Sequence, residues 1–454
     1  MRRSYFFIVV LSVFLALYFS FLVDYETITT AQAVYGTLIV ILGLLPVAVV
    51  LKSPREAGLI PLLPLHGLFY LFTFGLPVFS SKTRWITSGH QSLNMALIFT
   101  ITGLVCLYTG YYAFRGSFAR VRPIVFLFKI STNRQCRLGW VLFGMSMLLE
   151  FYPIIAELPS MGQLIVPLQY MSIGILFNIF LDRNLSKFEA FLFGAVTLFY
   201  FLKTLLSGSL AQPVFLLVFL GVIYWTKSRR FPFSIIMTAV VLAILLNPVK
   251  GAFRNDTWGK QFSSYTYYDK ALLFYIAAAD YYSGGSILKY VVEDTSTINR
   301  LAHVATFSYV IEMTPKNVPY WSGGSYETLW TSFIPRFIFP DKPKGDIGQQ
   351  FGHRYKLLNP DDTDTAVNLP WLPELYANFG TMGIFIGMFA VGVFFRYLVQ
   401  KLSAPIGHPI ENILGITVSF NLFYAESNLS LMVGGIFLTY IAFFLLLRLL
   451  TIRI

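Results

Sequence analysis

The side chains best suited to chemistry are cations and proton carriers gathered between Arg254 and Glu374. Arg300 and His303 stand three apart in Asn299-Arg300-Leu301-Ala302-His303, which reads as helix, so they share a face. An arginine keeps its charge and can grip a phosphate with a planar fork, while a histidine adds a second donor or transfers a proton. The competing reading is a surface arginine beside a structural histidine. Arg336 stands in Ile334-Pro335-Arg336-Phe337-Ile338-Phe339-Pro340-Asp341-Lys342-Pro343-Lys344, where proline prevents helix and stiffens the backbone. Large apolar neighbours suit Arg336 to presentation at a membrane surface, with Lys342 and Lys344 expected within reach. The run reads as a clamp for a lipid-linked phosphate or as an interfacial anchor. Arg354 follows in Phe351-Gly352-His353-Arg354-Tyr355, and Arg254, with Asp256, lies just beyond an apolar segment. Glu374 opens the next apolar segment and is the carboxylate candidate for proton transfer.

Weaker features surround these. Ser322-Gly323-Gly324-Ser325 is a turn able to present backbone N–H groups, although it matches no phosphate-loop pattern. Asp361, Asp362 and Asp364 lack the spacing of a calcium loop and read as a solvated acidic turn. Tyr265, Tyr267, Tyr268, Tyr281 and Tyr282 offer faces for stacking on sugars or for interfacial anchoring. Glu150, Lys203, Glu374 and Glu426 all fall near one end of their apolar segments, and the sequence predicts that they line a pocket beneath the polar stretch. No Walker or kinase signature, HExxH, paired CxxC or GxSxG occurs, so no cofactor or metal is expected.

The elements that must position these residues are membrane helices. Apolar residues make up 56% of the 454-residue chain and charged residues 12%, with a mean hydropathy of +0.65. Soluble domains carry roughly a quarter charged residues. An all-α polytopic membrane protein is therefore expected, with about twelve spans near 5–23, 30–51, 59–79, 94–114, 138–156, 163–181, 188–206, 210–226, 231–247, 373–398, 410–425 and 430–447. Three regions follow: a bundle over 1–247, a large, partly helical outward loop over 248–370 carrying the site, and final helices over 371–454.

Basic residues set the orientation. Arg2, Arg3, Lys52, Arg55, Arg115, Arg120, Arg122, Lys129, Arg134, Arg137, Arg183, Lys187, Lys227, Arg229, Arg230, Lys401, Arg448 and Arg453 fall on alternate loops and ends, whereas the opposite short loops hold little beyond Lys82 and Arg84. Both termini are expected in the cytoplasm and the long loop outside. The net charge of +12 then reflects orientation against anionic lipid rather than nucleic-acid binding, since the long stretch itself holds about a dozen charges of each sign. The first apolar stretch lacks a small-residue cleavage site and reads as an uncleaved anchor. Cys106 and Cys136, one in a span and one in a cytoplasmic loop, give no disulfide argument.

The order of these pieces resembles the Wzy-type oligosaccharide repeat unit polymerases of bacterial O-antigen and exopolysaccharide synthesis. The resemblance rests on Arg300 to Phe307, Ile334 to Lys344, Phe351 to Tyr355 and Pro370-Trp371-Leu372-Pro373-Glu374-Leu375-Tyr376-Ala377-Asn378-Phe379-Gly380, and extends to the spans and late loop. Where the family carries a Ser-Arg-Gly type turn, this chain reads Ser207-Gly208-Ser209-Leu210-Ala211-Gln212, without the arginine. The resemblance implies an inverting, metal-independent glycosyl transfer at the outer face of the bacterial inner membrane, fed by undecaprenyl-pyrophosphate-linked glycans. Membrane lipid, a chain-length regulator and a flippase are the implied partners. Arg300, Arg336 and Arg354, with Lys342, Lys344 and Arg254, would hold the pyrophosphate, and Glu374 and His303 would handle the proton. O-antigen ligase and lipid-linked sugar transporter are the rival functions.

Overall fold

The computed structural model describes residues 28–53, 56, 59–79, 90–118, 121–127, 130–152, 164–257, 265–283, 302–332, 334, 339, 346–405 and 407–453. All regular elements among them are helical. In order they are α1 (Thr30–Lys52), α2 (Leu62–Tyr70), α3 (His90–Ala113), α4 (Arg115–Phe118), α5 (Thr132–Phe151), α6 (Ile165–Leu181), α7 (Lys187–Leu205) and α8 (Ala211–Ser228). Then come α9 (Phe233–Thr257), α10 (Tyr267–Ser283), α11 (His303–Met313), α12 (Glu327–Ser332), α13 (Ile347–Arg354), α14 (Trp371–Leu402), α15 (Pro409–Ser419) and α16 (Leu429–Arg453).

Seven of the described helical stretches are long and apolar enough to cross a membrane: Thr30–Lys52, Leu62–Phe79, Gln91–Ala113, Lys187–Leu205, Ala211–Ser228, Trp371–Leu402 and Leu429–Thr451. The expected span at 5–23 lies outside the described residues, and the other expected stretches overlap helices. Four of those, 138–156, 163–181, 231–247 and 410–425, are not among the seven, and two of the four differ from a simple span for physical reasons. The region 410–425 breaks into α15 and a 3-10 turn, Phe420–Phe423, and α5 carries Arg134, Arg137 and Glu150 along its length.

Local sequence accounts for the ends and crossings. Thr29 caps α1 by accepting from the Gln32 N–H, and Gln32 reciprocates at the Thr29 N–H. The tightest crossing joins α3 to α14. A Cβ at Gly110 would come within 2.1 Å of the Phe389 carbonyl oxygen, and one at Gly392 within 2.1 Å of that of Leu107. The two backbones touch because nothing larger than hydrogen stands between them, the usual device where lipid removes the hydrophobic drive between helices.

Two described helices of the polar stretch, α11 and α13, join the core of this bundle. Val304, Phe307 and Val310 of α11, and Phe351 and Tyr355 at α13, belong to the same buried core as Ile39, Tyr70 and Phe395. By contrast, α9 and α10 share a small core of their own, Val249, Phe253 and Ala277.

Candidate functional site

The site grows from a break in α14. Gly380 sits at φ 60°, ψ −147° inside that helix, a conformation open only to a residue without Cβ. The break frees carbonyls one turn earlier, and a neighbouring loop takes them. The Trp321 N–H donates to the Ala377 carbonyl at 2.8 Å, and the Ser322 N–H to that of Asn378 at 3.2 Å. Loop 319–326 is thereby fixed against the short leading part of α14.

Side chains complete the attachment. Asn378 Nδ2 donates to Ser325 Oγ at 2.9 Å and to the Glu374 carbonyl at 2.8 Å, while its Oδ1 accepts from the Gly323 N–H at 2.9 Å. Ser325 Oγ donates to Glu374 Oε1 at 2.7 Å, and the Leu429 N–H donates to Glu374 Oε2 at 2.7 Å. Glu374 therefore joins three elements from a fully buried position: its own helix, the loop and the N-terminus of α16, where a carboxylate suits the helix dipole. Ser430 Oγ adds a bond to the Ser325 carbonyl at 3.0 Å. Burial, and after it the charge of Glu374, pushes the Tyr326 hydroxyl well above the usual phenol range.

A cation lies at the other end of the loop. Arg354, last in α13, donates from Nη2 to the Pro319 carbonyl at 2.6 Å, and its guanidinium stacks on Trp321 at 5.3 Å. Its Nε is buried with no hydrogen-bond partner, and no carboxylate pairs with it among the described residues. Tyr320, partly exposed, and Tyr376 extend the aromatic surface, with ring centroids 6.4 Å apart.

His303 opens α11, buried against Phe69 and Phe74 at 5.8 and 6.3 Å. Its Nε2 lies 3.9 Å from Glu426 Oε1, beyond hydrogen-bond reach, and is otherwise unpartnered. Glu426 stays one-third exposed. This pair sits beside the leading part of α14, because Phe307 of α11 packs on Tyr376 at 6.1 Å.

The structure thus brings Glu374 and Arg354 to one loop at the broken end of α14, with His303 on the helix packed beside it. Arg254 lies in the last turn of α9, partly buried beside the separate α9–α10 core. Arg300, Arg336, Lys342 and Lys344 lie outside the described residues. The four membrane-end charges form three separate arrangements rather than one pocket lining. Glu150 pairs with Lys203 and accepts from Gln169 at 2.8 Å, Glu426 faces His303, and Glu374 is enclosed. The Ser322–Ser325 turn spends its amides internally, on Asn378 and on the Trp321 carbonyl. His353 Nε2 lies 2.9 Å from the Asp362 carbonyl, and Asp362 folds into a turn closed by its own carboxylate.

Sequence reading missed Trp321 and named Ser325 and Asn378 only within a turn and a motif, without their roles. Asn378 had a visible signal: it stands one helical turn after Glu374, a second amphiphilic position in an apolar run, just before a glycine. The partner of Glu374 at Leu429 is a backbone amide and carries no signature.

These features define a helical membrane protein with a buried polar cluster under a loop and an unpaired arginine at its edge. The chain belongs to the family described as Domain of unknown function (DUF8712), whose model matches residues 79–454. No curated protein and no solved structure matches it.

Proposed function

We propose that the protein is a membrane glycosyltransferase that polymerises lipid-linked oligosaccharide repeat units, carried on undecaprenyl pyrophosphate, at the outer face of the bacterial inner membrane. The observation carrying this reading is Arg354: a cation with no carboxylate partner among the described residues, stacked on Trp321 and held at the mouth of a fixed loop. A guanidinium held in this way suits a leaving pyrophosphate, and the neighbouring rings of Trp321 and Tyr320 suit sugar faces.

In this reaction an acceptor hydroxyl of the incoming repeat attacks the anomeric carbon of the growing glycan. The bond from that carbon to the pyrophosphate oxygen breaks, and the pyrophosphate leaves on its lipid. Arg354 stabilises the charge gathering on the leaving oxygens. The hydroxyl proton passes to the His303–Glu426 pair, of which Glu426 has the exposed carboxylate and His303 the buried support. Glu374, with both oxygens occupied and no exposure, positions the loop. Arg300, Arg336, Lys342 and Lys344 supply further charge on the substrate side.

The topology belonging to this proposal has about twelve spans, both termini in the cytoplasm and the 248–370 stretch facing outward. The lipid-linked species that accumulates when the gene is deleted tests it. A single unpolymerised repeat is the expected product; full-length chains lacking only their final acceptor would assign the protein to ligation instead.

A further inference from the structure

A groove of about 490 Å³ opens where α6 turns into α7, lined by Phe180, Leu181, Arg183, Leu185, Lys187 and Ala190. It lies far along the chain from the polymerisation site and has no part in it. The turn is tight: the N–H groups of Asp182, Arg183 and Asn184 all donate back to the carbonyls of Ile179 or Phe180. Arg183 thereby adopts φ 57°, a left-handed conformation that favours glycine, yet a long cationic side chain stands there.

Charge accounting around the groove is one-sided. Asp182 is taken by Lys227 at 2.7 Å. Glu189 accepts from the Ser186 N–H at 2.9 Å and from the Cys136 thiol at 3.2 Å. No carboxylate pairs with Arg183 or Lys187 among the described residues, so the groove keeps two cations free of ion-pair contact on apolar walls. Both flanking helices are apolar, and α7 is long enough to cross a membrane, so the turn sits at a membrane boundary. Phe188 and Phe191, 72% and 73% exposed, continue the apolar surface away from the cations along α7.

We propose that this groove is a binding site for an anionic phospholipid, its phosphate held between Arg183 and Lys187 and its acyl chains laid along Phe188 and Phe191. A phosphate ester matches the two cations, and apolar chains match the walls and exposed rings. Neither a soluble anion nor a neutral lipid satisfies both halves of the surface.

Native mass spectrometry of the purified full-length protein tests this, using phosphatidylglycerol, phosphatidylcholine of the same chains, and glycerol phosphate as probes. The native protein is expected to retain phosphatidylglycerol roughly tenfold more strongly than phosphatidylcholine, and the R183A/K187A double variant to lose that preference. R183K/K187R, which keeps both charges, should retain it. Equal retention of the two lipids by the native protein would overturn the proposal whether or not the double variant folds. An unchanged preference in a folded double variant, or binding of glycerol phosphate as tight as the lipid, would overturn it too.

Discussion

Replacing Asn378 by alanine is the sharpest probe of the framework beneath the site. The side chain is 1% exposed and makes three hydrogen bonds at 2.8–2.9 Å, two as donor and one as acceptor. Each buried hydrogen bond contributes about 1 kcal/mol net, and a buried donor left unpaired costs about 1–3 kcal/mol. Asn378→Ala strands the Gly323 N–H and removes the donor holding Ser325 Oγ toward Glu374. With some return from water entry, a loss of about 3 kcal/mol is expected. Thermal unfolding in detergent, followed by tryptophan fluorescence, should show a midpoint roughly 3 °C below that of the native protein. Ser325→Ala and the double variant complete a cycle. Because the residues share one network, the double variant should lose clearly less than the sum of the two single losses, by more than about 0.5 kcal/mol. A midpoint within about 1 °C of native for Asn378→Ala, or strictly additive losses, would refute the claim that this network fixes the loop.

Other expectations follow from single geometric facts. Gly380→Ala places a Cβ 2.9 Å from the Tyr320 hydroxyl at a positive φ, and should destabilise by about 1–3 kcal/mol in the same melt. Gly392→Val meets the Leu107 carbonyl and should part α3 from α14, read as a loss of monodisperse protein on size exclusion; unchanged yield and elution would contradict the crossing. The Asp362 carboxyl is held below its ordinary range first by the Thr365 hydroxyl and then by the backbone N–H groups of Thr365 and Asp364. A lowered folded pKa stabilises above the unfolded value and loses that contribution as pH falls through the folded value. Asp362→Asn should therefore melt below native at pH 6, with the gap closing as pH drops under the ordinary value of 3.8. A gap independent of pH would assign the turn to neutral contacts.

Much of the helical architecture was legible because uninterrupted apolar length is a direct physical signal. The stretches 30–51 and 373–398 became α1 and α14 with ends displaced by a few residues. Capping at Ser186, with Glu189 three residues later, was likewise written in the chain. The site was legible in part. His303, Arg354 and Glu374 announced themselves as polar candidates; Arg354 and Glu374 both touch loop 319–326, while His303 faces Glu426. Their roles were not legible, since those depend on distant partners: Glu374 on the Leu429 amide, Arg354 on the face of Trp321. The expected single pocket of Glu150, Lys203, Glu374 and Glu426 gave way to local partners: Glu150 pairs with Lys203, and Glu374 takes a hydroxyl and a backbone amide. The 3-10 interruption after α15 had no sequence mark beyond a short apolar run.

Polymerisation by the reconstituted protein bears most directly on the proposed activity. Purified protein in proteoliposomes, supplied with an undecaprenyl-pyrophosphate-linked repeat, should convert it into a ladder of longer chains. Arg354→Ala should slow that conversion roughly 100-fold or more, and Arg354→Lys should recover only part of it, because a point charge does not reproduce a stacked fork. A native protein that leaves the single repeat unextended, or an Arg354→Ala protein with the native ladder, would contradict the account.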